Sequence, residues 1–188
     1  MKVFMIRHGE SETNRNGLWT GWLDVSLTEK GRAEAVQVGK MLSKINFDKI
    51  YASDLSRAKV TAEIALPSCE YETVSALREV NVGNIAGKPL NSVKDSDKER
   101  LRKDGYRIFG GESRDEFGNR VRAFMNTLEG EDCENIAVFS HAGVLKKALD
   151  IVLDTEITRN KMMCKNCAVA IFEYSDKKWM LHSWINLY

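Results

Sequence analysis

No stretch of this sequence stays apolar over the ~20 residues that a membrane-spanning helix needs. The amino-terminal segment carries Arg7 and Glu10 where an export signal needs its apolar core, so no such signal is read there. Charge of one sign is not in excess either: 28 Lys and Arg against 27 Asp and Glu leave a net charge of +1. A nucleic-acid or membrane-surface footprint needs a basic surplus or cluster, so neither partner is expected. A local cationic pocket remains open. Cysteine is scarce: Cys69, Cys133, Cys164 and Cys167 are too few and too scattered for a disulfide scaffold in a chain of 188 residues, and a reduced, cytoplasmic setting fits. Cys164 and Cys167 have CxxC spacing but no companion pair. A lone pair lacks the four ligands of a structural zinc site, so these two read as buried or edge thiols. Repeats, low-complexity tracts and linkers are missing, and the length suits one domain, residues 1–188, with a sizeable core.

What is present is an alternation of strands and helices. Lys2 to Ile6 is a short apolar, branched run that predicts a buried strand. Thr28 predicts the N-cap of a helix with Ala35, Val38, Met41, Leu42 and Ile45 at helical spacing. Lys49 to Ala52 predicts a second strand, and the helix after it, Leu55 to Leu66, is stopped by Pro67. Glu70 to Ala76 predicts a third strand. Residues 88–112 are charged and glycine-punctuated, which predicts a cap or lid containing a solvated helix. Ser113 to Glu116 is a capping-box pattern. It leads a helix with Phe117, Val121, Phe124, Met125 and Leu128 on one face. Asn135 to Ser140 is the clearest buried strand, and Val144 to Leu153 predicts the helix after it. Ala168 to Tyr174 and Trp179 to Leu187 predict a final strand pair joined by Ser175 to Lys178. This alternation predicts an α/β fold: a three-layer α/β/α sandwich around a mostly parallel sheet with one antiparallel strand. The last strand, if it ends the sheet, offers an edge for a homodimer.

Three of the strand ends carry reactive groups: Arg7-His8 after the first, Arg57 shortly after the second, His141 after the fourth. In open α/β sheets ligands bind beyond the carboxyl ends of the strands, so the fold gathers these groups at one edge. Arg offers a planar fork to a phosphate, and Gly9 lets the backbone approach closely. Two arginines and two histidines without a carboxylate cluster predict a phosphate site without a metal. A neutral imidazole can attack phosphorus and split one hard step into two. The cations then stabilise charge on the equatorial oxygens. Glu79, in a loop after a strand, can supply the acid for the departing alkoxide and later the base for water. Trp19 and Trp22 either flank an entrance or pack their loop onto the core, Arg78 reads as a salt-bridging residue, and His182 reads as structural.

These motifs resemble the histidine phosphatase superfamily, the phosphoglycerate mutase-like proteins. The matching residues begin with Arg7-His8-Gly9-Glu10-Ser11, Asn14, Thr20-Gly21-Trp22, Asp24, Leu27-Thr28 and Gly31. They continue through Ser53-Asp54-Leu55, Arg57-Ala58, Thr61-Ala62, Leu77-Arg78-Glu79, Gly83, Gly87, Gly111-Glu112-Ser113, Arg120 and Ser140-His141-Ala142-Gly143. The resemblance implies a phosphoglycerate mutase-like fold. It implies His8 as the phosphorylated nucleophile, Arg7, Arg57 and His141 as the phosphate pocket, and Glu79 as proton donor. Asn14, Thr20, Gly21 and the Ala142 backbone are implied as further substrate or phosphate contacts, with no metal.

Two branches compete within that resemblance. Thr20-Gly21-Trp22 and Glu10-Ser11 look like the 2,3-bisphosphoglycerate-dependent mutases. However, no Tyr follows Glu79 by three residues, and the long insert with a paired arginine is missing. Gly83 and Gly87, with Gly110-Gly111-Glu112-Ser113, look like the phosphatase branch, although Ile85 and Ala86 stand where an aromatic and a Glu are common. The sequence therefore favours a metal-independent phosphomonoesterase acting on small phosphorylated metabolites. Phosphoglycerate mutase, with 2,3-bisphosphoglycerate as primer in place of any other cofactor, is the alternative. A non-catalytic phospho-ligand binder is the third reading.

Overall fold

The structure, a computed structural model, describes residues 1–155 and 161–187. Among the described residues six strands form one sheet: β1 (Lys2–Arg7), β2 (Lys49–Ala52), β3 (Glu72–Thr73), β4 (Asn135–Ser140), β5 (Val169–Ser175) and β6 (Lys178–Ile185). Their order across the sheet is β3-β2-β4-β1-β5-β6. Strands β3, β2, β4 and β1 are mutually parallel, β5 runs antiparallel to β1, and β6 runs antiparallel to β5. The direction of β5 alone is thus reversed, as the sequence predicts.

Strand alternation puts the two faces of β1 into two cores. Val3 and Met5 pack with Phe117, Val121 and Met125 of α5 (Arg114–Leu128) and Val144 and Leu145 of α6 (Ala142–Val152). Phe4 and Ile6 pack with Val38 and Leu42 of α2 (Glu29–Leu42) and Ala62 and Ala65 of α3 (Ser56–Ala65). A run that is apolar on both faces can only be an interior strand, which is why Lys2 to Ile6 reads so clearly. Local chemistry sets the helix starts. The Thr28 hydroxyl accepts from Gly31 N at 3.0 Å, and Ser113 and Glu116 form the reciprocal capping box. Asp176 and Lys177 both have positive φ, the two-residue turn that matches the twist of the β5–β6 hairpin.

The third strand is shorter than the predicted Glu70 to Ala76. Only Glu72 and Thr73 pair, with β2 alone, and both are exposed at the sheet edge. The chain then turns at Ser75–Leu77 to send Leu77 into the core. A short helix, α1 (Glu12–Arg15), also interrupts the polar stretch after β1. In the charged 88–112 segment, α4 (Asp95–Asp104) is mostly exposed. It is anchored by Leu101, which joins Val82, Ile85, Val93 and Tyr106 in a small separate cluster. Among the described residues no helix is long and apolar enough to cross a membrane.

Candidate active site

The site forms where β4 lies between β2 and β1. Arg7, the last residue of β1, pairs in register with Ser140, the last of β4. His8 and His141 follow directly, and their rings stand 5.1 Å apart between centroids, tilted by 63°. Arg57, in the first turn of α3 just beyond β2, reaches the same place. Gly9 is needed here because a methyl group on it would strike the backbone of Gly31 in α2. The close approach that its sequence position predicts is thus made to a helix.

His8 is buried, at 4% exposure. Its Nδ1 lies 2.7 Å from the carbonyl of Gly9, which can only accept, so Nδ1 carries the proton. Its Nε2 lies 3.3 Å from Nε of Arg57, which can only donate, so Nε2 presents its lone pair. Burial first, then the charges of Arg57 and Arg7, push the pKa of His8 well below 6.5. The ring is therefore a neutral base with a defined tautomer, which is the form that can attack phosphorus.

Arg57 is completely buried and gives one N–H of each amino nitrogen to the carbonyls of Leu23, at 2.8 Å, and Gly21, at 2.9 Å. Burial lowers its pKa to about 10, with the nearby Glu79 charge acting the other way, so it stays a cation at neutral pH. Asp24 helps fix this loop by accepting from Ser56 N and Oγ, capping α3 from a distance. Arg7 donates one amino group to the carbonyl of Cys164 at 2.6 Å. His141 contacts Ser53 Oγ through Nε2 at 2.9 Å, and its pKa also lies well below 6.5, by burial first and Arg57 second. Among the described residues Arg7 Nε and His141 Nδ1 are buried without a partner. Buried polar groups are nearly always paired, so two unpaired ones in a cationic cluster suit the oxygens of an oxyanion.

Glu79 joins the edge of this cluster. Its carboxylate accepts from the backbone N–H of Val80 at 2.9 Å and of Gly143, in the first turn of α6, at 3.1 Å. The loop that carries it is clamped from several sides. Trp22 Nε1 donates to the Glu79 carbonyl at 2.7 Å, and Ser140 Oγ donates to that of Leu77 at 2.7 Å. Arg120 donates to the carbonyls of Ala76, Arg78 and Glu79 while pairing with Glu112 at 2.7 Å. Glu112 in turn accepts from Asn81 N at 2.8 Å. Arg78 makes its expected ion pair, with Asp54 at 2.6 Å, and stacks over Trp22.

The remaining predicted contacts are placed as follows. Asn14 uses its side-chain oxygen on Ser11 N and on Asn166 Nδ2, each at 3.2 Å. The Thr20 hydroxyl meets that of Thr13 at 2.6 Å, the Gly21 carbonyl serves Arg57, and Ala142 opens α6 beside His141. Cys164 and Cys167 are buried, and burial pushes their thiols up to about 11 and about 12. His182 is exposed on β6. Among the described residues no three His, Cys, Asp or Glu side chains stand together to hold a metal ion.

Sequence reasoning overlooked Asn166, the contact of Ser53 with His141 and the clamp role of Arg120. Asn166 Nδ2 donates to the His8 carbonyl at 3.2 Å, and Cys167 N does so at 3.3 Å. The CxxC segment thus backs the His8 strand end with its polar groups, a role that thiol spacing does not signal. Arg120 and Glu112 stand in matching motifs, so only their contacts were hidden. Beside Glu79 and Gly143 opens a cavity of about 350 Å³, walled by Trp19, Tyr106 and residues of α5 and α6.

Strand ends that converge a neutral imidazole, a second imidazole and two guanidiniums make an α/β site whose donors suit a phosphoryl group. The chain belongs to the histidine phosphatase superfamily (branch 1), which it matches over residues 3–187. It is 29% identical to the probable phosphoglycerate mutase GpmB of Salmonella paratyphi A over 195 aligned positions, covering 98% of this chain and 90% of that one. Its structure is similar to that of the phosphoglycerate mutase from Bacillus anthracis str. Sterne, with a TM-score of 0.85 and 25% identity over 97% of this chain and 92% of that one. The fold is also shared with a putative alpha-ribazole-5'-P phosphatase from Escherichia coli K-12, at a TM-score of 0.84 and 24% identity over 99% and 96% of the two chains.

Proposed function

We propose that this protein is a phosphomonoesterase that works through a phosphohistidine on His8. The observation that carries the reading is the His8 tautomer, with Nδ1–H on the Gly9 carbonyl and the Nε2 lone pair facing Arg57 Nε. In the first step Nε2 bonds to phosphorus and the phosphorus–oxygen ester bond breaks. The Glu79 carboxyl gives its proton to the departing alkoxide. Arg57 Nε exchanges its contact with Nε2 for a phosphoryl oxygen. Arg7, Arg57 and His141 hold the equatorial oxygens as charge shifts onto them. In the second step water attacks phosphorus, the Glu79 carboxylate takes the water proton, and the phosphorus–nitrogen bond breaks to return the lone pair to Nε2. The products are an alcohol and inorganic phosphate. These steps run on side chains alone, in one domain whose 88–112 segment caps the site.

A second reading, phosphoglycerate mutase primed by 2,3-bisphosphoglycerate, is supported by the names of two of these relatives. One experiment separates the readings. Wild type and His8→Ala are assayed with para-nitrophenyl phosphate in EDTA, and with 3-phosphoglycerate plus the primer. Hydrolysis by wild type that His8→Ala loses supports the phosphatase. Interconversion of phosphoglycerates without hydrolysis overturns it in favour of the mutase. Activity in neither assay overturns both in favour of a phospho-ligand binder.

A further inference from the structure

The cavity beside Glu79 differs in chemistry from the phosphate site it adjoins. Its volume, about 350 Å³, falls in the range of small-molecule sites. One side is apolar: Leu18, Trp19, Val82, Leu90, Tyr106 and Phe117. The Trp19 and Tyr106 rings meet edge to face with centroids 5.7 Å apart, so two aromatic surfaces wall the space. The charged lining is mixed in sign. Arg114, Lys146 and Lys147 stand with Glu79, Glu112 and Asp150, and Glu112 is already held by Arg120. A short hydroxy acid seated here would shed its hydration against a wall that is mostly apolar. Among the described residues, three buried polar side-chain atoms lack a partner: Arg7 Nε, His141 Nδ1 and Trp19 Nε1. The first two belong to the phosphate cluster, and the third belongs to this wall.

We propose that the cavity receives the alcohol portion of the substrate, and that this alcohol is a flat, weakly polar ring system, not a short hydroxy acid. The proposal rests on the phosphomonoesterase reading of the adjoining site. The phosphoryl group sits among Arg7, His8, Arg57 and His141, and the ester oxygen passes Glu79 on the way into the cavity. The ring then covers the wall of Trp19, Val82 and Tyr106, and a ring acceptor suits the indole N–H.

Binding tests the pocket independently of turnover. Two non-hydrolysable probes, 1-naphthylmethylphosphonate and 2,3-dihydroxypropylphosphonate, are titrated calorimetrically into wild type, Trp19→Ala and Leu90→Asp. Wild type is expected to bind the naphthyl probe about ten-fold more tightly or better. Trp19→Ala loses most of that preference while its affinity for the dihydroxypropyl probe stays within about two-fold. Leu90 is half exposed, so Leu90→Asp keeps the fold and puts a charge in the wall, and it weakens the naphthyl probe selectively. Equal affinities in wild type, or equal losses for both probes in both variants, overturn the ring-binding role. A wild-type preference that persists without any phosphatase turnover overturns the phosphatase reading and leaves the pocket assignment standing.

Discussion

Arg57 and His8 hold each other in one protonation state: the guanidinium Nε donates to the imidazole Nε2 at 3.3 Å, and the imidazole sends its only proton to the Gly9 carbonyl at 2.7 Å. Burial and the Arg57 charge both oppose a second proton on the ring. Nitrogen-15 NMR of labelled histidine should therefore show His8 as the Nδ1–H tautomer at pH 7, titrating well below 6.5. Arg57→Met removes one of the charges that depress it, so the titration should move upward. A wild-type His8 that is Nε2-protonated would overturn the assignment of the nucleophilic atom.

Glu79 is proposed to protonate the leaving alkoxide, so its value should depend on the leaving group. Glu79→Gln is expected to slow hydrolysis of alkyl phosphates by about 10²-fold or more, and of para-nitrophenyl phosphate by far less, because nitrophenolate departs without a proton. A uniform loss across a leaving-group series would give Glu79 a role in binding instead.

Gly143 sits against the Glu79 carboxylate and donates to it at 3.1 Å. A methyl group on residue 143 would strike Glu79 Oε1, which can swing aside at little cost to the fold. Gly143→Ala should therefore keep its melting temperature yet lose kcat, by up to about 10²-fold, through misplacement of the carboxylate. Unchanged kcat would show that Glu79 reaches its working position by another route.

Arg120 and Glu112 are about five-sixths buried as a pair, at 17% and 15% side-chain exposure, and they tie down the Glu79 loop. Arg120→Met should cost about 1–3 kcal/mol of stability by leaving Glu112 and three carbonyls short of a donor. Chemical denaturation measures this. Arg120→Met with Glu112→Gln should cost less than the sum of the two single changes, since the pair acts as a unit.

His8 and His141 also couple folding to pH. Both are buried and both have folded pKa values well below 6.5. As pH falls below 6.5 the unfolded chain takes up protons that the native rings refuse, so stability drops by about 1.4 kcal/mol per pH unit for each histidine until the folded values are reached. Stability of the ligand-free protein should be full above pH 6.5 and fall between pH 6.5 and 5. His141→Asn should reduce that slope by about half. A flat profile over this interval in wild type would overturn the buried neutral state of both rings.

Local sequence determined whatever depends on neighbours in the chain. The apolar run before Arg7 is an interior strand because both of its faces are buried, Thr28 and Ser113 cap their helices because their hydroxyls reach the nearby N–H groups, and the hairpin follows from its two-residue turn. The strand-end positions of His8, Arg57 and His141 were legible for the same reason. The tertiary structure decided what depends on partners far along the chain. It cut β3 to two residues because that strand lies exposed at the sheet edge with one neighbour. It chose the His8 tautomer through Arg57, 49 positions away. It recruited Asn166 to the His8 carbonyl across 158 positions, and Arg120 to that of Glu79 across 41. Side-chain spacing encodes none of these, because hydrogen-bond partners of this kind become neighbours only once β4 lies between β1 and β2 and the loops close over the strand ends.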